Sequence, residues 1–153
     1  MRKVLTVVAA LAAVTPLLIL GSASGSSKDV HKQVRYVRSV ATTGFYVDND
    51  PSGNSGGDLF GSTGDLQHAG RKVGTLSSAC TAASQTHAQC QVTFIWNTGD
   101  RIQLAGDILV SDSQNRIAII GGTGRYKTAR GDATLTSKGQ GGSIQRIKLR
   151  IWR

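Results

Sequence analysis

Eight short β-rich segments separated by turn residues constrain the fold of this chain most strongly. They follow one another at intervals of about 8 to 15 residues, which is typical of a β-sandwich or a β-barrel. No ten-residue window shows the apolar stripe of an amphipathic helix. All nine acidic residues are aspartate, which favours turns and caps over helix interiors. The predicted strands cover residues 32–40, 58–66, 71–82, 89–96, 101–110, 116–120, 131–137 and 143–152.

Alternation within the predicted strands indicates which side chains share a face. In the last strand Ile147, Leu149 and Ile151 share one face. The opposite face carries Arg146, Lys148 and Arg150, which we expect to meet solvent. In the strand over 101–110, one face carries Ile102, Leu104, Gly106, Ile108 and Val110. The other face carries Arg101, Gln103, Ala105 and Asp107. Alternation alone does not decide which of these two sets lines an interior.

The segment over 116–133, RIAIIGGTGRYKTARGDA, places a glycine cluster directly after an apolar strand. One interpretation is a phosphate-binding loop, but a dinucleotide site needs GxGxxG opening a helix and a P-loop needs GK[ST]. Neither pattern is present. The favoured interpretation is a structural turn with a short irregular connection, formed by Gly121, Gly122, Gly124 and Gly131.

The same segment, IAIIGGTGRYKTARGDATL, resembles the glycine-rich segment of dirigent proteins and, more loosely, of allene oxide cyclases. Upstream, GDLF at 57–60, RKVG at 71–74 and SAC at 78–80 are similar to cyclase motifs in the same order. The resemblance covers about residues 57–152. It implies an all-β fold, a single closed antiparallel eight-stranded β-barrel with an apolar pocket, and closure would also remove exposed sheet edges.

The first 23 residues have the pattern of a secretory signal peptide. Arg2 and Lys3 precede an apolar run over 4–20, and small residues follow at 21–25. A membrane anchor is the alternative, but the run is short for a span and contains Pro16. We therefore predict a secreted protein without an integral membrane segment after cleavage. Residues 24–57 would form a flexible N-terminal segment with the first strand and a rim loop, and residues 58–153 the remainder of the barrel.

Cys80 and Cys90 are the two cysteines of the chain. In an exported protein such a pair predicts a disulfide. The resemblance offers an alternative, because Cys80 falls where allene oxide cyclases carry a cysteine in the pocket. The two interpretations differ in whether a free thiol is present.

The resemblance to dirigent proteins implies aspartate, arginine and tyrosine side chains that steer or protonate a bound intermediate. The predicted catalytic residues are Asp58 and Asp107, and the predicted ligand-binding residues are Tyr36, Tyr126 and Arg130. A carboxyl in an apolar pocket has a raised pKa and can act as an acid near neutral pH. The structural alternatives are that Asp58 caps a turn and that Asp107 faces water. The glutamate of plant allene oxide cyclases has no counterpart, so their particular reaction is not expected.

Several other functions are disfavoured by the sequence. Asp48, Asn49 and Asp50 could offer oxygens to calcium, but the EF-hand glutamate is missing and a solvated loop is favoured. The three histidines have no metal-like spacing, and no GxSxG motif marks a serine hydrolase. The formal net charge is +9, yet aromatic residues for stacking on bases are few. We predict no metal, no cofactor and no specific nucleic-acid partner.

The predicted function is that of a secreted barrel that binds a small apolar molecule and guides its cyclisation, isomerisation or stereoselective coupling. Two alternatives are a non-catalytic secreted carrier with the same barrel and an extracellular surface-binding protein that uses its basic face. Members of both resembling families commonly form trimers, which implies a homo-oligomer, a trimer or a dimer.

Overall fold

The computed structural model describes residues 30–138 and 143–153, which form one closed barrel of eight antiparallel strands. The strands are β1 (Lys32–Val47), β2 (Leu59–His68), β3 (Arg71–Ala82), β4 (His87–Trp96), β5 (Arg101–Leu109), β6 (Gln114–Thr123), β7 (Arg130–Lys138) and β8 (Ile144–Trp152). A 3-10 turn, Gly124–Tyr126, lies between β6 and β7. The predicted all-β barrel is confirmed. The predicted signal peptide, residues 1–23, lies outside the described residues.

The first and last strands close the barrel. Each strand pairs with the next one along the chain, and the β1–β8 ladder runs from Lys32 opposite Trp152 to Val40 opposite Ile144. This ladder removes the two free edges that an open sheet would present to other chains.

Apolar side chains at alternate strand positions face the interior and form the core. In β8, Ile147, Leu149 and Ile151 are fully buried, while the basic residues between them lie on the outer face, as the alternation predicts. In β5 the buried residues are Ile102 and Leu104, so the apolar set of this strand faces inward. Full burial of such a side chain is worth about 1.5–3 kcal/mol.

The 3-10 turn fills one end of the barrel. It brings Tyr126, which is fully buried, next to Trp96, with 6.2 Å between the ring centroids. The guanidinium groups of Arg35, Arg125 and Arg153 lie 5.7 to 5.9 Å from the centre of the Tyr126 ring. We call this the closed end. The opposite end, where the β1–β2, β3–β4 and β5–β6 connections lie, is the mouth.

Of the four glycines predicted to form this turn, Gly124 lies in the 3-10 turn, whereas Gly121 and Gly122 lie in β6 and Gly131 lies in β7. Gly124 has φ +59°, and a Cβ there would overlap the Asp100 carboxylate. Gly131 has φ +135°, and a Cβ there would overlap the backbone carbonyl of Arg150 in β8. The segment therefore returns directly into β7, and no helix that could cradle a phosphate follows the glycines in the described residues.

β1 is longer than the sequence indicates, ending at Val47 rather than Val40. Its register against β2 shifts between Ala41 and Thr43, which is the mark of a β-bulge. Residues 43–47 then pair with residues 59–63. Residues 41–47 are all exposed, so this half of the strand lacks the alternation by which strands are recognised.

The predicted disulfide between Cys80 and Cys90 is confirmed. The two residues lie directly opposite each other in the β3–β4 ladder, and both are buried on the inner face. Because the chain has no third cysteine, the alternative of a free pocket thiol is wrong for this structure.

Candidate functional site

A cavity of about 650 Å³ occupies the mouth half of the barrel. Every strand contributes to its wall through inward-facing positions. The apolar part of the wall includes Leu76, Val92, Ile108, Ile117 and Leu135, and the Cys80–Cys90 disulfide lies beside them. Phe94, Leu104 and Leu149, which do not line the cavity, are buried members of the core cluster. We call this space the mouth cavity.

Three polar side chains cross the wall of the mouth cavity in one row. Ser39 of β1 lies opposite Gln145 of β8, and Gln145 lies opposite Ser137 of β7. All three line the cavity, and none of their side chains hydrogen-bonds to another described residue. We call them the polar row. They can donate to, or accept from, one polar group of a bound molecule.

Two further serines in the wall, Ser62 and Ser78, hydrogen-bond to each other. The Ser78 hydroxyl accepts a hydrogen bond from the backbone N–H of Ser62 at 3.1 Å, and the two hydroxyl oxygens are 3.1 Å apart. Their hydrogen bonds stabilise the β2–β3 pairing. The polar row is therefore the better candidate for ligand recognition.

The rim of the mouth carries exposed apolar side chains. Tyr46 and Val47 at the end of β1, and Leu109 and Val110 at the end of β5, are 38 to 50% exposed. Among the described wall and rim residues, Asp112 is the one ionisable side chain that lines the mouth cavity. A neutral apolar molecule thus meets a matching surface at the rim and in the wall.

Asp58 lies in a smaller side pocket of about 240 Å³, which shares Phe60 and Val110 with the mouth cavity. Its carboxylate is buried and accepts hydrogen bonds from the N–H groups of Ser55 (2.7 Å) and Asn49 (2.9 Å) and from the Tyr46 hydroxyl (2.8 Å). These contacts fasten the β1–β2 loop at the mouth.

The same contacts set the charge of Asp58. The hydrogen bond from the Ser55 N–H, followed by those from Tyr46 and Asn49, lowers the pKa of Asp58 to about 2. Burial acts in the opposite direction and is outweighed. The raised pKa predicted for a carboxyl in an apolar pocket is therefore not found at Asp58, which is an ionised acceptor at neutral pH. The hydrogen bond to Asp58 also raises the pKa of Tyr46 to about 12.

Asp107 lies on the outer face of β5, away from the mouth cavity. Its carboxylate is 2.8 Å from Nδ1 of His87 and accepts a 3.3 Å hydrogen bond from the Gln89 amide. These cross-strand contacts join β4 to β5.

The three predicted ligand-binding residues also lie away from the mouth cavity. Tyr36 is 60% exposed on the outer face of β1, and Tyr126 is fully buried at the closed end. Arg130 is exposed and donates a 2.8 Å hydrogen bond to the backbone carbonyl of Ala129. The residues that sequence reasoning missed are those of the polar row. Alternation could have found them, since Ser39, Ser137 and Gln145 are in phase with Val37, Leu135 and Ile147.

Two further features bear on function. Within residues 30–138 and 143–153, no three histidine, cysteine or acidic side chains come together in a way that could hold a metal ion. In the same part of the chain, no helix has the length and apolar character needed to cross a membrane.

Several proteins of known structure have folds similar to this barrel. No curated protein matches the chain significantly. Similar solved structures include a pyocyanin demethylase, with TM-score 0.71 and 20% identity over 78% of this chain and 99% of the other. A second is the pterocarpan synthase dirigent protein GePTS1, with TM-score 0.65 and 16% identity over 94% and 97%. A third is the Diels Alderase AbmU from Streptomyces koyangensis, with TM-score 0.65 and 18% identity over 83% and 70%.

At these identities the similarity to solved structures concerns the fold. The family follows from a separate match, because residues 60–152 fit the family model described as "Dirigent-like protein". That range runs from β2 to the end of β8 and includes the glycine-rich segment. The chain therefore belongs to the dirigent-like protein family.

Proposed function

We propose that this protein binds a small, largely apolar molecule in the mouth cavity and guides its cyclisation, isomerisation or stereoselective coupling. The main support for the proposal is the cavity itself, about 650 Å³ with an apolar wall and a polar row whose side chains have no hydrogen-bond partner among the described residues. Small-molecule pockets typically measure about 300–1,000 Å³ and combine apolar walls with a few placed polar groups.

Confinement is the mechanism that this wall supports best. A flexible molecule held against Leu76, Val92 and Leu135 can adopt few conformers, so reacting atoms stay close together. The polar row would fix one carbonyl or hydroxyl of that molecule and so set which face reacts. No acid or base in the wall is required for such a step.

The family and its neighbours support this class of reaction. The chain is a dirigent-like protein, and similar folds include a pterocarpan synthase dirigent protein and a Diels Alderase. Ring formation or oriented coupling by a barrel of this kind is consistent with those names.

The catalytic roles of Asp58 and Asp107 stay predictions. Asp58→Asn and Asp107→Asn variants test them once a substrate is known. The confinement mechanism predicts that both variants keep turnover within about threefold, whereas loss of a general acid typically costs about 100-fold or more. A loss of turnover of about 100-fold or more in either variant would support a role for that aspartate as a general acid.

A non-catalytic carrier is the second candidate function. The scarcity of ionisable groups in the described cavity wall favours it, because binding alone needs no proton transfer. Turnover separates the two functions. A carrier returns its ligand unchanged, whereas a cyclase or coupling protein returns an isomer, a ring-closed product or one stereoisomer of a coupled product.

Native mass spectrometry of the protein recovered from its own culture medium tests the proposal. We expect a bound metabolite that partitions into organic solvent, and chromatography after incubation with that metabolite shows whether it is converted. The same spectrum gives the mass of the mature chain, expected to begin after Ala23, and the number of subunits. Recovery of the protein from cells alone would contradict secretion, and an empty protein that takes up no metabolite from a culture extract would contradict the binding proposal.

A further inference from the structure

A groove of about 600 Å³ runs along the outer face of the barrel across β1, β8 and β7, reaches the end of β2 on one side and the start of β6 on the other, and is separate from the mouth cavity. Arg38, Arg146 and Lys148 line it, together with Tyr36 and the hydroxyl-bearing Thr134 and Thr136. We call it the basic groove. Its three cationic side chains donate hydrogen bonds and accept none, which suits a site for anions.

Two like charges face each other in the basic groove. Arg38 of β1 lies directly opposite Arg146 of β8. Directly opposed side chains on one sheet face are about 5 Å apart at Cβ, and like charges in that position destabilise the sheet. An anion between the two guanidinium groups would remove this repulsion.

The positive charge of the groove is not neutralised by nearby aspartates. No described carboxylate lies within ion-pair distance of Arg38, Arg146 or Lys148. The acids on flanking strands are engaged elsewhere. Asp65 pairs with Lys72, and Asp132 pairs with Arg116 and Arg150.

The size of the groove and one aromatic ring indicate the kind of anion. A single phosphate or sulfate would occupy a small part of about 600 Å³. Tyr36 is 60% exposed, and the Lys148 ammonium lies 5.7 Å from its ring centre, so much of the ring remains open to solvent. An aromatic face packs well against the C–H groups of a sugar ring. Single-stranded nucleic acids, by contrast, are usually held by several stacking rings.

We propose that the basic groove binds an acidic polysaccharide. Arg38 and Arg146 would hold one sugar carboxylate between them, the threonine hydroxyls would add hydrogen bonds, and Tyr36 would pack against one sugar ring. This function is independent of the mouth cavity. It would hold the barrel on an anionic polymer while the cavity remains open.

Calorimetric titration with polygalacturonate tests this proposal, with neutral dextran and a thymidine oligonucleotide as comparison ligands. The test variant is Arg38→Gln/Arg146→Gln. The matched control is Arg101→Gln/Lys127→Gln, which removes two exposed positive charges outside the groove. Because hydrogen bonds to charged groups are strong, the groove variant should bind polygalacturonate at least about tenfold more weakly. The control variant should change the affinity for polygalacturonate by less than about twofold. Its affinity for dextran should be no higher than that of the wild type.

A Tyr36→Leu variant separates a sugar polymer from a bare polyanion. It should weaken binding severalfold without changing its salt dependence, because no charge is lost. Circular dichroism confirms that each variant is folded, as expected for exposed positions. Equal weakening by the groove and control variants, unchanged binding in Tyr36→Leu, or tighter groove-dependent binding of the oligonucleotide would each overturn the proposal.

Discussion

At the scale of single residues, hydrogen-bond donors decide the charge of the buried aspartates. Asp132 on β7 illustrates the balance. Burial raises its pKa, but hydrogen bonds from Arg116 (2.8 Å) and Arg150 (2.7 Å) outweigh burial, and the pKa lies below its ordinary value. Asp58 follows the same rule with N–H and hydroxyl donors. Both groups are therefore ionised at neutral pH and serve as fixed acceptors.

Asp58 makes the stability of the barrel dependent on acid. Its folded pKa of about 2 is below the ordinary value of 3.8, so its stabilisation is fully present above about pH 4. It is lost as the pH falls through about 2. We expect the thermal midpoint of unfolding to decline between pH 4 and pH 2, and to decline less steeply in Asp58→Asn.

The control for this prediction is Asp112→Asn at the exposed rim of the mouth. It should leave the pH profile of the thermal midpoint unchanged. Identical profiles for Asp58→Asn and the wild type would show that Asp58 does not hold the β1–β2 loop as described.

A second prediction concerns the stability of Tyr126 variants. Its hydroxyl is buried and has no hydrogen-bond partner among the described residues, whereas its ring belongs to the main core. Tyr126→Phe should therefore change the free energy of unfolding by less than about 1 kcal/mol. Tyr126→Ala should cost about 3–5 kcal/mol, because it leaves a cavity at the closed end. Urea denaturation measures both, and a large loss in the Phe variant would contradict the assignment of an unpartnered hydroxyl.

At the scale of elements, the β3–β4 hairpin is cross-linked where its strands face each other. The Cys80–Cys90 bond closes a sequence separation of 10 residues. In the chain-entropy account a loop of this length stabilises the fold by about 2.5–3 kcal/mol. The hydrogen-bonded ladder around it remains in the absence of the bond.

We therefore expect Cys80→Ala/Cys90→Ala to fold into the same barrel with a free energy of unfolding about 2.5–3 kcal/mol smaller. Urea denaturation gives the difference, and far-ultraviolet circular dichroism shows whether strand content is kept. The reduced wild-type protein, which lacks the bond and keeps both side chains, controls for effects of side-chain removal. Loss of the fold in the double variant would mean that the hairpin depends on the bond.

Sequence patterns predicted elements well where one face is apolar. The alternation of β8, from Arg146 to Ile151, identified both the strand and its outer face. The second half of β1 was missed because its residues are exposed on both faces and owe their extended form to pairing with β2. A strand with one apolar face can thus be predicted from local alternation. A segment that pairs beyond a bulge can be predicted only when its partner strand is known.

At the scale of the whole molecule, the glycine-rich segment and the resemblance it carries predicted the barrel, but positions around the lumen could not be assigned from them. Asp107 is unusual in a strand and suggested chemistry, yet it lies outside the barrel beside His87. Gln145 is an ordinary polar residue in sequence, yet it faces the lumen. Closure of the sheet decides these positions, because only then does one face become an interior.

Binding of a neutral apolar molecule in the mouth cavity can be measured from the fluorescence of Nile red on titration with the protein. Two variants, Val92→Trp and Ile117→Trp, place a larger side chain in the cavity wall. The control is Ala118→Trp, on the outer face of β6. We expect the dye to bind to the wild type and to Ala118→Trp, and its affinity to be lower by at least about tenfold, about 1.4 kcal/mol, in both cavity variants. Undiminished binding to folded Val92→Trp and Ile117→Trp would contradict binding in the mouth cavity.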